Sequence, residues 1–279
     1  MQKLKLRLGN AVFAVVLAAA AIIFIAPILW MLSTALKEAE DIFVMPPQWI
    51  PDPVVFSNFA DVFTKMDFLQ YLKNTIWVSV LPVFGQLLAV PLVVYSITKI
   101  EWKGAKIIFP LVLVTMMIPW QVTQIPMYTT WSKLGFVNTF IPLVLPAFFG
   151  SPYYIYLMRQ FMKGIPNSLI DAARIDGAND LTILYRVVMP LCKPILVTVA
   201  LLVFIAAWND FNGPLMYLQE SDKYTLSVGL QNVLSNNTLK RQYNLVMAAV
   251  TLFSLPLMVV FAIFQKQFIS GIATGGVKG

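Results

Sequence analysis

Six largely apolar and almost uncharged stretches alternate along the chain with polar segments, running approximately Ala11–Leu36, Asn74–Thr98, Ile107–Tyr128, Phe140–Met158, Ile195–Met216 and Leu245–Phe264. A bilayer core about 30 Å thick takes roughly 20 apolar residues of α-helix, so each stretch predicts one transmembrane span. Asp210, near the outer end of the fifth, is the one Asp, Glu, Lys or Arg inside any of them. Pro82, Pro91, Pro110, Pro119, Pro146 and Pro256 lie within the spans, where neighbouring helices can re-satisfy the backbone groups that proline frees. Lys3, Lys5 and Arg7 ahead of the first run also fit a secretory signal. That run is longer than a signal core of about 7 to 15 residues, so a retained span is expected.

The polar segments carry their own patterns. "MPPQWIPDP", Met45 to Pro53, is too rich in proline for a helix and predicts an ordered turn with Trp49 at the membrane interface. The segment of about 160–193 predicts two short helices. Ser168 and Asp171 have capping-box spacing, and Ile170, Ala173 and Arg174 begin a helical period. Gly177 can take the left-handed conformation that ends the first helix, Asn179 or Asp180 can cap the second, and Pro190 and Pro194 stop it and start the next span. Helix, glycine turn and helix make a compact knob, and small residues such as Ala172 and Ala173 let another backbone approach. On physics alone the knob could equally be a connector lying on lipid headgroups.

Composition narrows the function. Hydrophobic residues make up 59% of the 279 positions and charged ones 12%, with mean hydropathy +0.76, which excludes an ordinary soluble domain. The chain has no histidine, and Cys192 is its one cysteine, so disulfides, His-ligated metals and His-based acid–base chemistry cannot be built within it. The net charge of +7 is scattered between apolar runs and forms no stripe that would track a nucleic acid. With the N-terminus inside, Lys3, Lys5, Arg7, Lys99, Lys103, Lys106, Arg159, Lys163, Arg174, Arg186, Lys193, Lys266 and Lys278 are cytoplasmic, while Lys37, Lys65, Lys73, Lys133, Lys223, Lys240 and Arg241 are external. The positive-inside rule then places both termini, and the knob, in the cytoplasm.

Candidates for a solute pathway are polar side chains that would be costly facing lipid: Thr115, Gln121, Gln124, Asn209 and Asp210 first, with Gln86, Thr123, Ser151 and Asn212. Each has the alternative of joining helix to helix, and Asp210 in "WNDF" fits a structural carboxylate better than a proton carrier. An ion-coupled secondary transporter is disfavoured, because no carboxylate lies deep in a span. An intramembrane enzyme lacks reagents.

"DAARIDGANDLTILYRVVMP" resembles the signature loop of bacterial ABC-importer permeases, written EAA, three residues, G, nine residues, I-x-L-P. Asp171, Ala172, Ala173, Gly177, Val187, Met189 and Pro190 take its positions, with Asp, Val and Met replacing Glu, Ile and Leu. "MIPWQVTQIPMY", "LGFVNT", "AAWNDFNGPLMYL", "YTLSVGL" and the closing "GGVKG" are similar, in order, to segments of maltose-type carbohydrate permeases, specifically the second, six-span subunit of the pair. The resemblance implies an all-α, polytopic permease of the bacterial inner membrane, a single integral domain with a coupling insert between its fourth and fifth spans and a cytoplasmic tail of about 266–279. It also implies a second permease subunit as partner, two ATPase subunits and an extracytoplasmic solute-binding protein. No G-x-x-x-x-G-K-[ST] loop occurs, so ATP and Mg would be held by the ATPases, and no cofactor by this chain. By the same resemblance Gly275, Gly276, Val277, Lys278 and Gly279 would reach the ATPase, a frayed terminus being the alternative. The cargo expected is a sugar, with glycerol phosphate or a peptide as the rival within the superfamily.

Overall fold

A computed structural model describes residues 2–235 and 242–276, with side chains for 12–234 and 242–265. Among the described residues every regular element is helical. The long ones are α1 (Gln2–Ala35), α3 (Phe68–Thr98) and α14 (Tyr243–Gly276), joined in sequence by α2 (Ser57–Lys65), α4 (Ala105–Met116), α5 (Trp120–Lys133), α6 (Ile141–Val144), α7 (Pro152–Lys163), α8 (Asn167–Ile175), α9 (Asp180–Ile183), α10 (Met189–Leu191), α11 (Lys193–Trp208), α12 (Asn212–Tyr217) and α13 (Leu226–Ser235). Among the described residues four helices are long and apolar enough to cross a membrane, or up to six if each of two bent pairs is one span.

The bends are where the structure departs from the apolar pattern. The expected third span is not one straight helix: α4 and α5 meet at 98° across Met117–Pro119. Pro119 has no N–H and an extended ψ of 135°, and it pushes the residue before it out of the helical region, so the helix cannot continue. With 12 residues, α4 is about 18 Å long, well short of the bilayer core. The expected fourth span corresponds to Ile141–Lys163, long and apolar enough to cross, within which Gly150, at φ 82°, lies between the 3₁₀ turn Leu145–Phe149 and α7. The fifth ends at Trp208, leaving Asp210 in the following loop rather than inside a helix.

The described residues form two compact units, one from 2–68, 230–235 and 242–255, the other from 69–229 and 256–276. In the first, the proline-rich segment is an ordered wrap on the end of α1. Ser33 Oγ donates to Trp49 O at 2.6 Å, the Trp30 and Trp49 rings meet edge-on at 5.0 Å, and the Lys37 ammonium lies 4.4 Å from the Trp30 ring centre. The carbonyls left open at this helix end are taken up in turn: Asn58 Nδ2 donates to Ala35 O and Lys37 O, and Val55 N–H donates to Leu36 O. Asn244 Nδ2 donates to Asn58 Oδ1 at 3.0 Å, so a buried polar chain fixes α2 and α14 to the same point.

In the second unit the core is one continuous set of buried side chains: Val90, Val94 and Tyr95 of α3, Ile155, Met158 and Met162 of α7, Ile195, Val199 and Val203 of α11, and Ile170, Ile183, Leu184 and Val188 from the segment between α7 and α11. Two residues, one in a loop and one inside α13, show how closely its elements fit. Asn138 holds φ 62°, and its Oδ1 accepts from Gln219 N and Glu220 N. Gly229 lies so close to the Tyr71 ring that a Cβ would come within 2.3 Å of it. These positions belong to "LGFVNT" and "YTLSVGL".

Candidate functional site

Two places carry candidate residues. The first is the knob between α7 and α11. α8 does not begin with the expected capping box: Pro166, at ψ 134°, occupies the cap position and no side-chain cap bond forms at Ser168. A proline there already sets the entry angle, and Asn167 Oδ1 accepts instead from Lys99 Nζ at 2.8 Å. The end of α8 matches the expectation. Gly177 has φ 83°, Gly177 N donates to Arg174 O and Ala178 N donates to Ala173 O, both at 3.0 Å, which is the Schellman closure with Ala178 facing Ala173. Asn179, rather than Asp180, caps α9, accepting from Thr182 N at 2.8 Å.

Pro190 does not stop the second helix. The backbone passes from α9 through a π turn at Leu184–Val188 into α10, with Pro190 at its first turn, where no N–H is needed. The break comes at Cys192, where the chain turns by 82° into α11.

The knob is tied to α3 by polar contacts. Tyr95 Oη donates to Asp180 Oδ1 at 3.1 Å, and Arg174 Nη2 reaches the same oxygen at 3.1 Å, which raises the guanidinium pKa above its ordinary value. Just past α3, Lys99 Nζ donates to Ile165 O at 2.6 Å, and burial lowers its pKa from the usual ammonium value. Sequence patterns gave no signal for Tyr95 or Lys99. Each sits in or beside an apolar run, and its partner lies far off in sequence. One face of the knob is buried through Ile170, Ile183, Leu184 and Val188, while Asp171, Ala172, Gly177 and Pro190 are exposed, and Ala173, Val187 and Met189 partly so. Ile175 is 87% exposed, and a Cβ on Gly177 would meet nothing within 4 Å. The turn thus offers an apolar tip beside an empty approach.

The second place is a cleft of about 540 Å³ where α3, the Gly150 break and the end of α11 converge. It gathers Gln86, Ser151 and Asp210 with Tyr154, which the sequence did not single out. Gln86 is 4% exposed, and its Oε1 accepts from Ser151 N at 2.9 Å. Asp210 Oδ1 accepts from Gly213 N at 3.1 Å, so the carboxylate also holds the start of α12. The other pathway candidates lie elsewhere. Thr115 and Thr123 bond back to Val112 O and Trp120 O of their own helices, Gln121 is exposed, Gln124 is half-buried, and Asn209 Nδ2 donates to Ile205 O. Gly275 and Gly276 complete the backbone of α14, while Val277, Lys278 and Gly279 lie outside the described residues.

The chain matches the family described as the binding-protein-dependent transport system inner membrane component over residues 83–274, a stretch that contains both the knob and the cleft. It belongs to that family. Family relatives include the arabinooligosaccharide transport permease AraQ of Halalkalibacterium halodurans, 34% identical over 82% of this chain and 81% of the relative, and the galactooligosaccharide transport permease GanQ of Bacillus subtilis, 32% identical over 94% and 93%. The structure is similar to a chain of a bacterial ABC transporter that imports the acidic polysaccharide alginate, with a TM-score of 0.84, 27% identity, and 94% and 97% of the two chains covered. As a member of the family, the protein is a multi-pass membrane permease of an ABC importer, a transport component and not an enzyme.

Proposed function

We propose that this permease carries a saccharide, is driven by ATP hydrolysed on two partner subunits, and takes that drive through α8, the Gly177 turn and α9. The observation that supports the proposal most is the two-faced knob: its inner side chains belong to the same core as α3, α7 and α11, while Ile175 stands 87% exposed at the tip. A push on the tip is carried into the spans because close-packed side chains transmit displacement rather than absorb it. The sugar cargo rests on the names of the relatives, which transport arabino- and galactooligosaccharides.

In this scheme a second permease subunit completes the pathway, and a solute-binding protein delivers the sugar from outside. ATP and Mg stay on the ATPases. Both termini and the knob face the cytoplasm, in keeping with the lysine and arginine distribution, and Gly275 to Gly279 contact the ATPases. Closure of the ATPases draws the knobs together, and the helix bundles rock between inward and outward access.

The test is Ile175→Asp in the assembled transporter. Because Ile175 is exposed, the change leaves the isolated permease within about 0.5 kcal/mol of its original stability. It is expected to lower the ATPase retained on purification by at least about tenfold, the equivalent of roughly 1.4 kcal/mol of docking energy. Full retention with normal sugar uptake would refute the docking role.

A further inference from the structure

The cleft beside Gly150 has the makings of a solute site with a defined charge preference. Gln86 is almost wholly buried, its carboxamide oxygen accepts from Ser151 N, and the residue lines the cavity. Around it stand the Ser151 hydroxyl, the Tyr154 ring with its hydroxyl, and the Asp210 carboxylate, one oxygen of which is held by Gly213 N. A donor amide, two hydroxyls, a carboxylate and an aromatic face suit a ligand that is itself a ring of hydroxyls with apolar C–H faces. The volume, about 540 Å³, is in the usual range for small-molecule sites. None of the lining residues is a lysine or arginine, and Asp210 supplies the one formal charge.

We infer that this cleft contacts the cargo in transit and passes uncharged sugar rings while rejecting anionic ones, with Asp210 as the charge filter and Gln86 and Tyr154 as the ring contacts. The inference rests on the transport function proposed above. The filter needs no specific hydrogen bond: a carboxylate lining the cleft opposes a second negative charge that enters it.

The charge preference can be read without knowing the sugar. Cys192 is fully buried, so Ser151→Cys places one accessible thiol in the cleft of the assembled transporter. Its labelling by a cationic and by an anionic methanethiosulfonate reagent is then compared with the same ratio for a free thiol. The expected preference for the cation exceeds the free-thiol ratio by at least about tenfold. Adding Asp210→Asn, which keeps the oxygen that accepts from Gly213 N, should return the ratio to that of the free thiol. Neutral tri- and tetrasaccharides should slow labelling of the single-cysteine protein, uronate oligosaccharides should not, and Tyr154→Ala should abolish the protection. A cation preference that is absent, or insensitive to Asp210→Asn, overturns the filter. Failure of every neutral saccharide to protect overturns the sugar contact. ATPase retention on the same preparation reports separately on the transport assignment.

Discussion

Asp180 shows how much a single carboxylate can organise. Its Oδ1 takes both the Tyr95 hydroxyl and the Arg174 guanidinium, although the ion pair alone, with both side chains nearly half exposed, is worth only about 0.2–1 kcal/mol. The buried Tyr95 hydroxyl adds more, because without its acceptor it has nowhere to bond. Tyr95→Phe removes donor and demand together and should cost about 1 kcal/mol of thermal stability. Asp180→Ala strands the hydroxyl and should cost more, about 1–3 kcal/mol. A thermal scan of the two variants in one detergent checks the order. Gly177 is a different case. Its φ of 83° strains any residue with a Cβ, but the space around it is open. Gly177→Asn, which tolerates that conformation better than Ala, should therefore be the milder substitution in the isolated subunit, the difference appearing in the same scan. The glycine and its closure were legible from sequence because local backbone chemistry sets them. The bonds from Tyr95 and Lys99 were not, since their partners are 85 and 66 residues away.

Among the elements, the apolar pattern located the helices well and their directions poorly. Hydropathy reports what a segment dissolves in; it carries no record of an angle. The 98° bend at Pro119 and the Gly150 break were both marked by residues in plain view, yet proline in a membrane helix is often accommodated without a break. The capping box at Ser168 failed for a related reason: Pro166, two residues earlier, had already taken the cap position. The cleft owes its existence to the Gly150 break, and Gly85 of α3 keeps the broken segment close. A Cβ at Gly85 would sit 2.8 Å from the Phe148 ring and 3.0 Å from the backbone of Ala147 and Phe148. Backbone cannot swing aside as a side-chain end can. Gly85→Ala is thus expected to destabilise the protein by about 1–3 kcal/mol and to alter the labelling rate of a thiol at Ser151.

At the scale of the whole molecule, the class was legible from two numbers, the share of apolar residues and the near absence of charge within the runs, and family membership came from the "DAARIDG" segment and the ordered segments around it. The cleft was not legible as a unit. Gln86, Ser151 and Asp210 were each visible as polar residues in apolar surroundings, but nothing in the sequence set Tyr154 apart until the fold put it beside them. Nor did the sequence show that the knob's inner face would merge with the interior of the bundle. Ile170, Ile183, Leu184 and Val188 share one buried set with residues of three spans. A segment so joined cannot fray on its own as a tethered loop does; it opens only when its neighbours open. Deuterium uptake should accordingly find the amides of α8 and α9 protected on the timescale of α11, and a protease able to nick ordinary surface connectors should leave this one whole.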